Sequence, residues 1–180
     1  MNKDLAMANR LQLRKLRGAD CEIISDAFKE QGWNKPVSQY EEYLRYQEQG
    51  LRDIIVAELE HCFAGYLTIV WESDFHLFRR QSIPEIVDFN VLKKYHRQGI
   101  GTCLMDEAER RIAKVSNYAG LGVGVTKDYG AAQILYINRG YKPDGNGLVK
   151  GNRFLEYGEE VTVDDDLVLH LLKELQAYGT

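Results

Sequence analysis

Apolar positions along this chain either alternate or recur every three to four residues, and the switches between the two periods mark out elements. Residues 10–16, RLQLRKL, alternate apolar and basic, as a half-buried strand does. Ile23, Ile24, Ala27 and Phe28 then recur at helical spacing behind Asp20, a residue type that caps helices. A second helix is expected after Pro36, with Tyr40, Tyr43, Leu44 and Gln47 on one face. Two apolar runs, 53–59 and 63–71, flank the polar pair Glu60–His61 and predict a hairpin. Residues 74–83 are mixed and read as loop, and residues 85–91, EIVDFNV, as another strand. From Gly99 onward, Ile100, Leu104, Ala108, Ile112 and Val115 form a helical stripe, with Asp106, Glu107, Arg110 and Arg111 outside it. A short strand at 121–126, a helix at 131–140 stopped by Gly140, a strand opening at Tyr141 and a last strand at 167–172 complete the order.

This order predicts an α/β fold: a mixed, mostly antiparallel central sheet of about seven strands flanked by about four helices. The strand–helix–strand segments 85–126 and 121–145 predict right-handed crossovers between parallel strands. No Pro/Ser-rich linker, low-complexity tract or internal repeat divides the 180 residues, so one domain over 1–180 is expected.

Composition narrows the classes. With 44% apolar and 28% charged residues the chain is globular rather than disordered, and its net charge of −4 argues against a general nucleic-acid partner. Cys21, Cys62 and Cys103 lack metal-ligand spacing, and their odd count fits reduced thiols in the cytoplasm. The start, MNKDLAMANR, lacks the apolar run of a signal peptide, and no stretch reaches the ~18 apolar residues that span a bilayer. His61, His76, His96 and His170 are scattered, so no metal site is expected. The expectation is a cytoplasmic protein with no membrane partner.

Candidate chemistry begins at residues 93–106, KKYHRQGIGTCLMD. A helix start presents unpaired N–H groups and the positive end of the helix dipole, and Gly99 and Gly101 let a ligand come close. Two better-known phosphate motifs do not fit. A dinucleotide fingerprint needs a third glycine where Leu104 stands, and a Walker A loop needs Lys-Ser/Thr where Thr102 and Cys103 follow Gly101. On the glycines alone, a plain strand-to-helix turn is an equally good reading.

The ordered set of strand, basic turn, helix, strand and helix resembles the Gcn5-related N-acetyltransferase superfamily over about residues 84–145. In that family a strand leads into Gln/Arg-x-x-Gly-x-Gly/Ala and then a helix. The matching residues are His96-Arg97-Gln98-Gly99-Ile100-Gly101, with His96 in place of the usual Gln or Arg. A second block, YGAAQILYINRGYKP at 129–143, is similar to the family's Asn-x-x-Ala-x-x-Leu-Tyr-x-x-x-Gly-Phe/Tyr segment. Ala132, Leu135, Tyr136, Gly140 and Tyr141 match it, and Tyr129 stands at the Asn position.

The resemblance implies an acyl-CoA N-acyltransferase fold with acetyl-CoA as cosubstrate. The loop His96, Arg97, Gln98, Gly99, Ile100, Gly101 and Thr102 would hold the CoA pyrophosphate, mainly through amides. Phe89, Asn90 and Val91 would pair with the pantetheine arm, and Tyr129 and Ala132 would border the cofactor. The implied reaction is direct acetyl transfer to a primary amine of a small-molecule or peptide acceptor. Tyr136 would protonate the leaving thiolate, Glu85 would be the base directly or through water, and the Val91 N–H would support the oxyanion. Asp88 is the rival base. Three residues on from Glu85, it faces the other side of a regular strand unless a bulge changes the phase.

Periodicity alone reads Tyr136 as a core residue and either carboxylate as an ion-pair partner. Trp33, Tyr40, Tyr43, Tyr46 and Trp71 are acceptor-cleft candidates whose ordinary reading, favoured for most, is core. Asp164-Asp165-Asp166 reads as a solvated acidic turn. A non-catalytic acyl-CoA-binding or sensing domain on the same fold is the alternative function, and an unrelated phosphate-ligand module is a third. A homodimer is a common assembly in the family.

Overall fold

The computed structural model describes residues 10–176. In chain order the elements are β1 (Leu11–Lys15), α1 (Asp20–Glu30), α2 (Val37–Glu48), β2 (Arg52–Leu59), β3 (Cys62–Val70), α3 (His76–Arg80) and β4 (Glu85–Val91). After a 3-10 turn at Lys93–Tyr95 come α4 (Ile100–Ile112), β5 (Tyr118–Gly124), a 3-10 turn at Lys127–Tyr129, α5 (Gly130–Asn138), β6 (Lys142–Lys150), β7 (Arg153–Phe154) and β8 (Leu167–Glu174). The fold is mixed α/β, with an open eight-stranded, mostly antiparallel sheet and five helices. Its hydrogen-bonded order is β1-β2-β3-β4-β5-β8-β6-β7. None of the helices described is long and apolar enough to cross a membrane.

The chain forms two compact units, residues 10–71 with 87–108, and residues 72–86 with 109–176. In the first, β1 and β2 pair antiparallel with Leu13 opposite Ala57, and β2 and β3 with Ile55 opposite Leu67. The β2–β3 turn places Glu60 and His61 at φ 51° and 66°, the left-handed pair that matches the twist of a tight hairpin. Ile54 to Ala57 are all fully buried, so β2 is covered on both faces and its apolar run is continuous rather than alternating. Leu16, Ile24, Phe28, Tyr40, Val56, Phe63, Tyr66 and Leu92 form the core here.

Asp20 is not the N-cap of α1. Ala19 holds that position, and Asp20 is the first helical residue. Its carboxylate instead accepts from the Arg17 N–H at 2.7 Å and from both terminal nitrogens of Arg14 at 2.6 and 2.7 Å. Arg14 also donates to Glu58 at 2.5 Å, tying β1, β2 and the α1 start together. These two acceptors, Asp20 first, hold the half-buried Arg14 guanidinium above its ordinary value, against the effect of burial.

In the second unit the start of β4 pairs parallel with β5, Glu85 opposite Gly120. β8 runs antiparallel to β5, and β6 antiparallel to β8. β5 and β6 are therefore parallel in direction, as the 121–145 crossover predicts, and the last strand inserts between them. Three further expectations change. Residues 74–83, read as loop, contain α3, whose Phe78 is buried against Phe75 and Ile83. Val115 lies beyond α4 and is 69% exposed. The two-residue β7 was too short to show a period. Gly140, at φ 90°, ends α5 as its position predicted.

His170 on β8 is buried in this unit's core. Its ring stacks on Phe75 with centroids 3.6 Å apart and meets Phe78 edge-on at 5.3 Å. Burial lowers its pKa from 6.5 to about 4; Asp144 opposes the shift and His76 adds to it. A histidine kept neutral in the fold but free to charge when unfolded makes stability rise with pH between those two values. Unfolding free energy should therefore fall by up to about 3 kcal/mol between pH 6.5 and 4, as 1.36 kcal/mol per pH unit requires. His170→Phe should flatten that part of the profile, read as chemical-denaturation midpoints across the range.

Candidate active site

The residues of β4 from Val87 onward and the loop after it gather in the first unit. β4 departs from regular strand geometry at Asp88, whose φ of 51° is left-handed for a non-glycine residue. Thr68 Oγ1 donates to the Val87 carbonyl at 2.7 Å before the break, and the Leu92 N–H donates to the Ala64 carbonyl at 2.9 Å after it. β3 comes closest at Gly65. A Cβ there would lie 2.6 Å from the Asn90 oxygen and 2.9 Å from Val91 Cα, so this strand contact requires glycine.

Beyond Val91 the chain turns through Lys93–Tyr95 into the loop. Arg97 and Gly99 are left-handed, at φ 59° and 80°, and α4 follows at once. The Cys103 N–H donates to the Gly99 carbonyl at 3.0 Å, which leaves the Ile100, Gly101 and Thr102 amides at the helix start without helical partners. His96 Nε2 donates to the Val91 carbonyl at 2.9 Å, so its ring ties the loop to the end of β4. The loop is also anchored to the α1 end: Lys93 N–H donates to Gln31 Oε1 at 3.0 Å, and Lys93 Nζ lies 5.2 Å from the Trp33 ring centre. Phe89, Asn90, Val91 and residues 96–102 thus sit in one unit, as one strand end and one helix start.

The same bulge turns Asp88 into a cluster that periodicity did not reveal. Its carboxylate accepts from Lys35 Nζ at 2.8 Å, Gln39 Nε2 at 2.9 Å, Tyr43 OH at 3.0 Å, Asn90 Nδ2 at 2.7 Å and the Tyr66 hydroxyl. Burial works against its charge, but the Lys35 ammonium and the hydrogen bonds outweigh burial and hold the carboxyl below its usual range. Burial first, and then the Asp88 charge, push the Tyr66 and Tyr43 phenols upward, Tyr43 to about 12. Asp88 is therefore a saturated anion that attracts cations and takes up a proton poorly. Of the aromatic candidates, Tyr40 and Tyr43 belong to this cluster. Tyr46 bonds to Glu42 at 3.1 Å, and Trp33 stacks on Phe28. Lys35, Gln39 and Tyr66 were not anticipated.

Glu85, Tyr129, Ala132 and Tyr136 belong to the second unit. Glu85 accepts from the buried Ser73 Oγ at 2.5 Å, and Ser73 Oγ in turn accepts from the Phe75 N–H at 2.9 Å. The Tyr129 hydroxyl donates to Asp165 at 2.9 Å, which draws the acidic turn onto the start of α5. Ala132 is half-buried one turn on. Tyr136 is buried at 7% exposure with its ring 6.0 Å from that of Tyr141. Burial chiefly, and Tyr129 secondarily, raise its pKa, so it remains a protonated phenol. Among the described residues, no group of three or more His, Cys, Asp or Glu side chains could hold a metal ion.

Comparison with known proteins bears on this arrangement. The model of the acetyltransferase (GNAT) family matches residues 21–141. No curated protein sequence matches the chain. Among solved structures, yncA of Salmonella typhimurium with its cofactor acetyl-CoA is similar at 17% identity and a TM-score of 0.64, covering 96% of this chain and 98% of that one. The Salmonella typhimurium acetyl transferase that modifies the N-terminal serine of ribosomal protein L7/L12 is similar at 12% identity and a TM-score of 0.69, covering 93% and 96%. The dodecameric spermidine N-acetyltransferase of Vibrio cholerae is similar at 16% and 0.64, covering 93% and 95%. At these identities the solved structures establish the fold.

Two substitutions probe the β4 geometry. Asp88→Asn removes the charge that five donors converge on and should cost about 3 kcal/mol. Because the folded carboxyl is held low, the stability it lends is full above about pH 4 and is lost as pH falls through its depressed value, a dependence Asp88→Asn should erase in urea titrations. Gly65→Ala should lower stability by about 1–3 kcal/mol, since backbone rather than a flexible side chain meets the new methyl.

Proposed function

Since this chain belongs to the GNAT family of acetyltransferases, we propose that residues 1–180 act as one N-acetyltransferase domain that carries the acetyl group of acetyl-CoA to a primary amine. The observation that carries the reading is the loop at 96–102. Two left-handed residues there turn β4 into the start of α4 and leave a row of helix-start amides where a pyrophosphate is well held. The residues present fit CoA chemically: glycine at 99 and 101, basic Lys93, Lys94 and Arg97 nearby, and a strand end at Phe89–Val91 interrupted by a bulge. The bound cosubstrate supplies an activated thioester. The chain's own residues would orient it, through the loop amides and the Asn90–Val91 backbone.

In this reading the neutral amine attacks the acetyl carbonyl carbon. A C–N bond forms, the C–S bond breaks, the nitrogen gives up a proton and the thiolate gains one. The Val91 N–H would take the developing oxyanion. Tyr136, kept protonated by burial, would supply the thiolate's proton. Glu85 would be the base, directly or through water. Asp88 is better suited to attracting a cationic acceptor than to removing a proton, because its charge is already stabilised by five donors.

Calorimetry should show CoA binding with no comparable signal from ATP or NAD, and an amine screen with acetyl-CoA should release free thiol. A protein that binds CoA but releases thiol with no amine would instead be a sensing domain on this fold. Tyr136→Phe should lower turnover of the identified amine by about 100-fold with little change in CoA affinity; full turnover would remove Tyr136 from the acid role.

A further inference from the structure

Lys35 is placed unlike a surface lysine. Its side chain is 19% exposed, and its ammonium lies 2.8 Å from Asp88 Oδ1 and 3.2 Å from the Tyr66 hydroxyl oxygen. The same nitrogen stands 5.5 Å from the Phe28 ring centre and 5.8 Å from that of Tyr66. A counter-charge, a hydroxyl acceptor and two aromatic rings are the parts of a receptor for a primary alkylammonium.

The receptor and its occupant are built on different kinds of structure. Phe28 stands on α1, Tyr66 on β3, Gln39 and Tyr43 on α2, and Asp88 and Asn90 on β4. Phe28 and Tyr66 are fully buried. Without Lys35, Asp88 keeps four donors from these regular elements, so the cage has supports that do not depend on the lysine. Lys35 itself comes from the short connection between α1 and α2, where its own carbonyl accepts from Ser25 Oγ at 2.7 Å. The walls are on the scaffold, and the plug is on a connecting segment.

We infer that the Asp88 cage is an exchangeable site for an unbranched primary alkylammonium, and that Lys35 is its resting occupant. The inference rests on the amine-acetylation reading above and narrows its acceptor. The ligand class follows from the occupant: a straight alkyl chain ending in an ammonium, passing beside two rings. A nitrogen held against an ionised carboxylate stays protonated and cannot attack a thioester. The caged nitrogen is therefore an anchor, and the attacking nitrogen is a second amine on the same acceptor, as in a linear diamine. Lys35 must leave for the anchor to enter, so the chain carries its own competitor.

The test uses the full chain and n-butylammonium as probe, with n-butanol as the neutral control. Lys35→Ala should bind n-butylammonium at least about tenfold more tightly than wild type, a gap of about 1.4 kcal/mol, and should not bind n-butanol. Lys35→Ala combined with Asp88→Asn should lose the binding. Wild-type protein labelled with [15N]lysine gives a second readout that needs no variant: the Lys35 Nζ signal should shift toward that of a solvated lysine as n-butylammonium is added. Equal affinity in wild type and Lys35→Ala, or an unmoved Lys35 signal at saturating probe, overturns the inference. CoA calorimetry on the same samples separates the two readings. Lost CoA binding with intact exchange removes acetyl transfer and leaves the cation site, whereas intact CoA binding without exchange removes the cation site alone.

Discussion

A carboxylate with little access to water must be met by donors, and the first compact unit is organised around meeting one. Asp88 draws its five partners from the α1–α2 connection, α2, β3 and its own strand. Each of those elements has a further reason to be where it is. Tyr66 and Phe28 are core residues, Tyr43 stacks under the Arg52 guanidinium at 4.3 Å, and β4 is held to β3 on either side of the bulge. The left-handed turn at Asp88 is what brings the carboxylate into this company. Strain at one residue is thereby offset by a charge-assisted network, and the strand that leads to the 96–102 loop is fixed by it.

The motif-bearing half of the fold was legible because its signals are local. The 3.6-residue stripe of α4 from Ile100 to Ile112, the Gly-x-Gly at its start and the apolar runs of β2 and β3 all depend on neighbours in sequence, and each appears where expected. Contacts made at long range were not legible. Nothing in the DLVLHLL stretch says that it will insert between β5 and β6, since a strand's period reveals its faces and not its neighbours. Likewise α3 is five residues long, too short for a helical period to register, and it holds because Phe75 and Phe78 pack into the second unit's core.

The site residues divide the same way. The turn at residues 96–102 could be placed from spacing, since it is a backbone feature and glycine reports on backbone. The cage around Lys35 could not, because Phe28, Lys35, Tyr66 and Asp88 are far apart in sequence and each has an ordinary reading where it stands. Asp88 had been a rival to Glu85 on strand phase alone. The structure separates them by surroundings, with Glu85 beside a buried serine hydroxyl and Asp88 among cationic and phenolic donors.

His96 stands where the family pattern carries glutamine or arginine, and its ring spends the Nε2 hydrogen on the Val91 carbonyl. Glutamine and arginine share one property with this histidine, an N–H that can reach a main-chain oxygen. The first position of the loop is thus a latch that asks for a hydrogen to give, and is indifferent to the charge that comes with it.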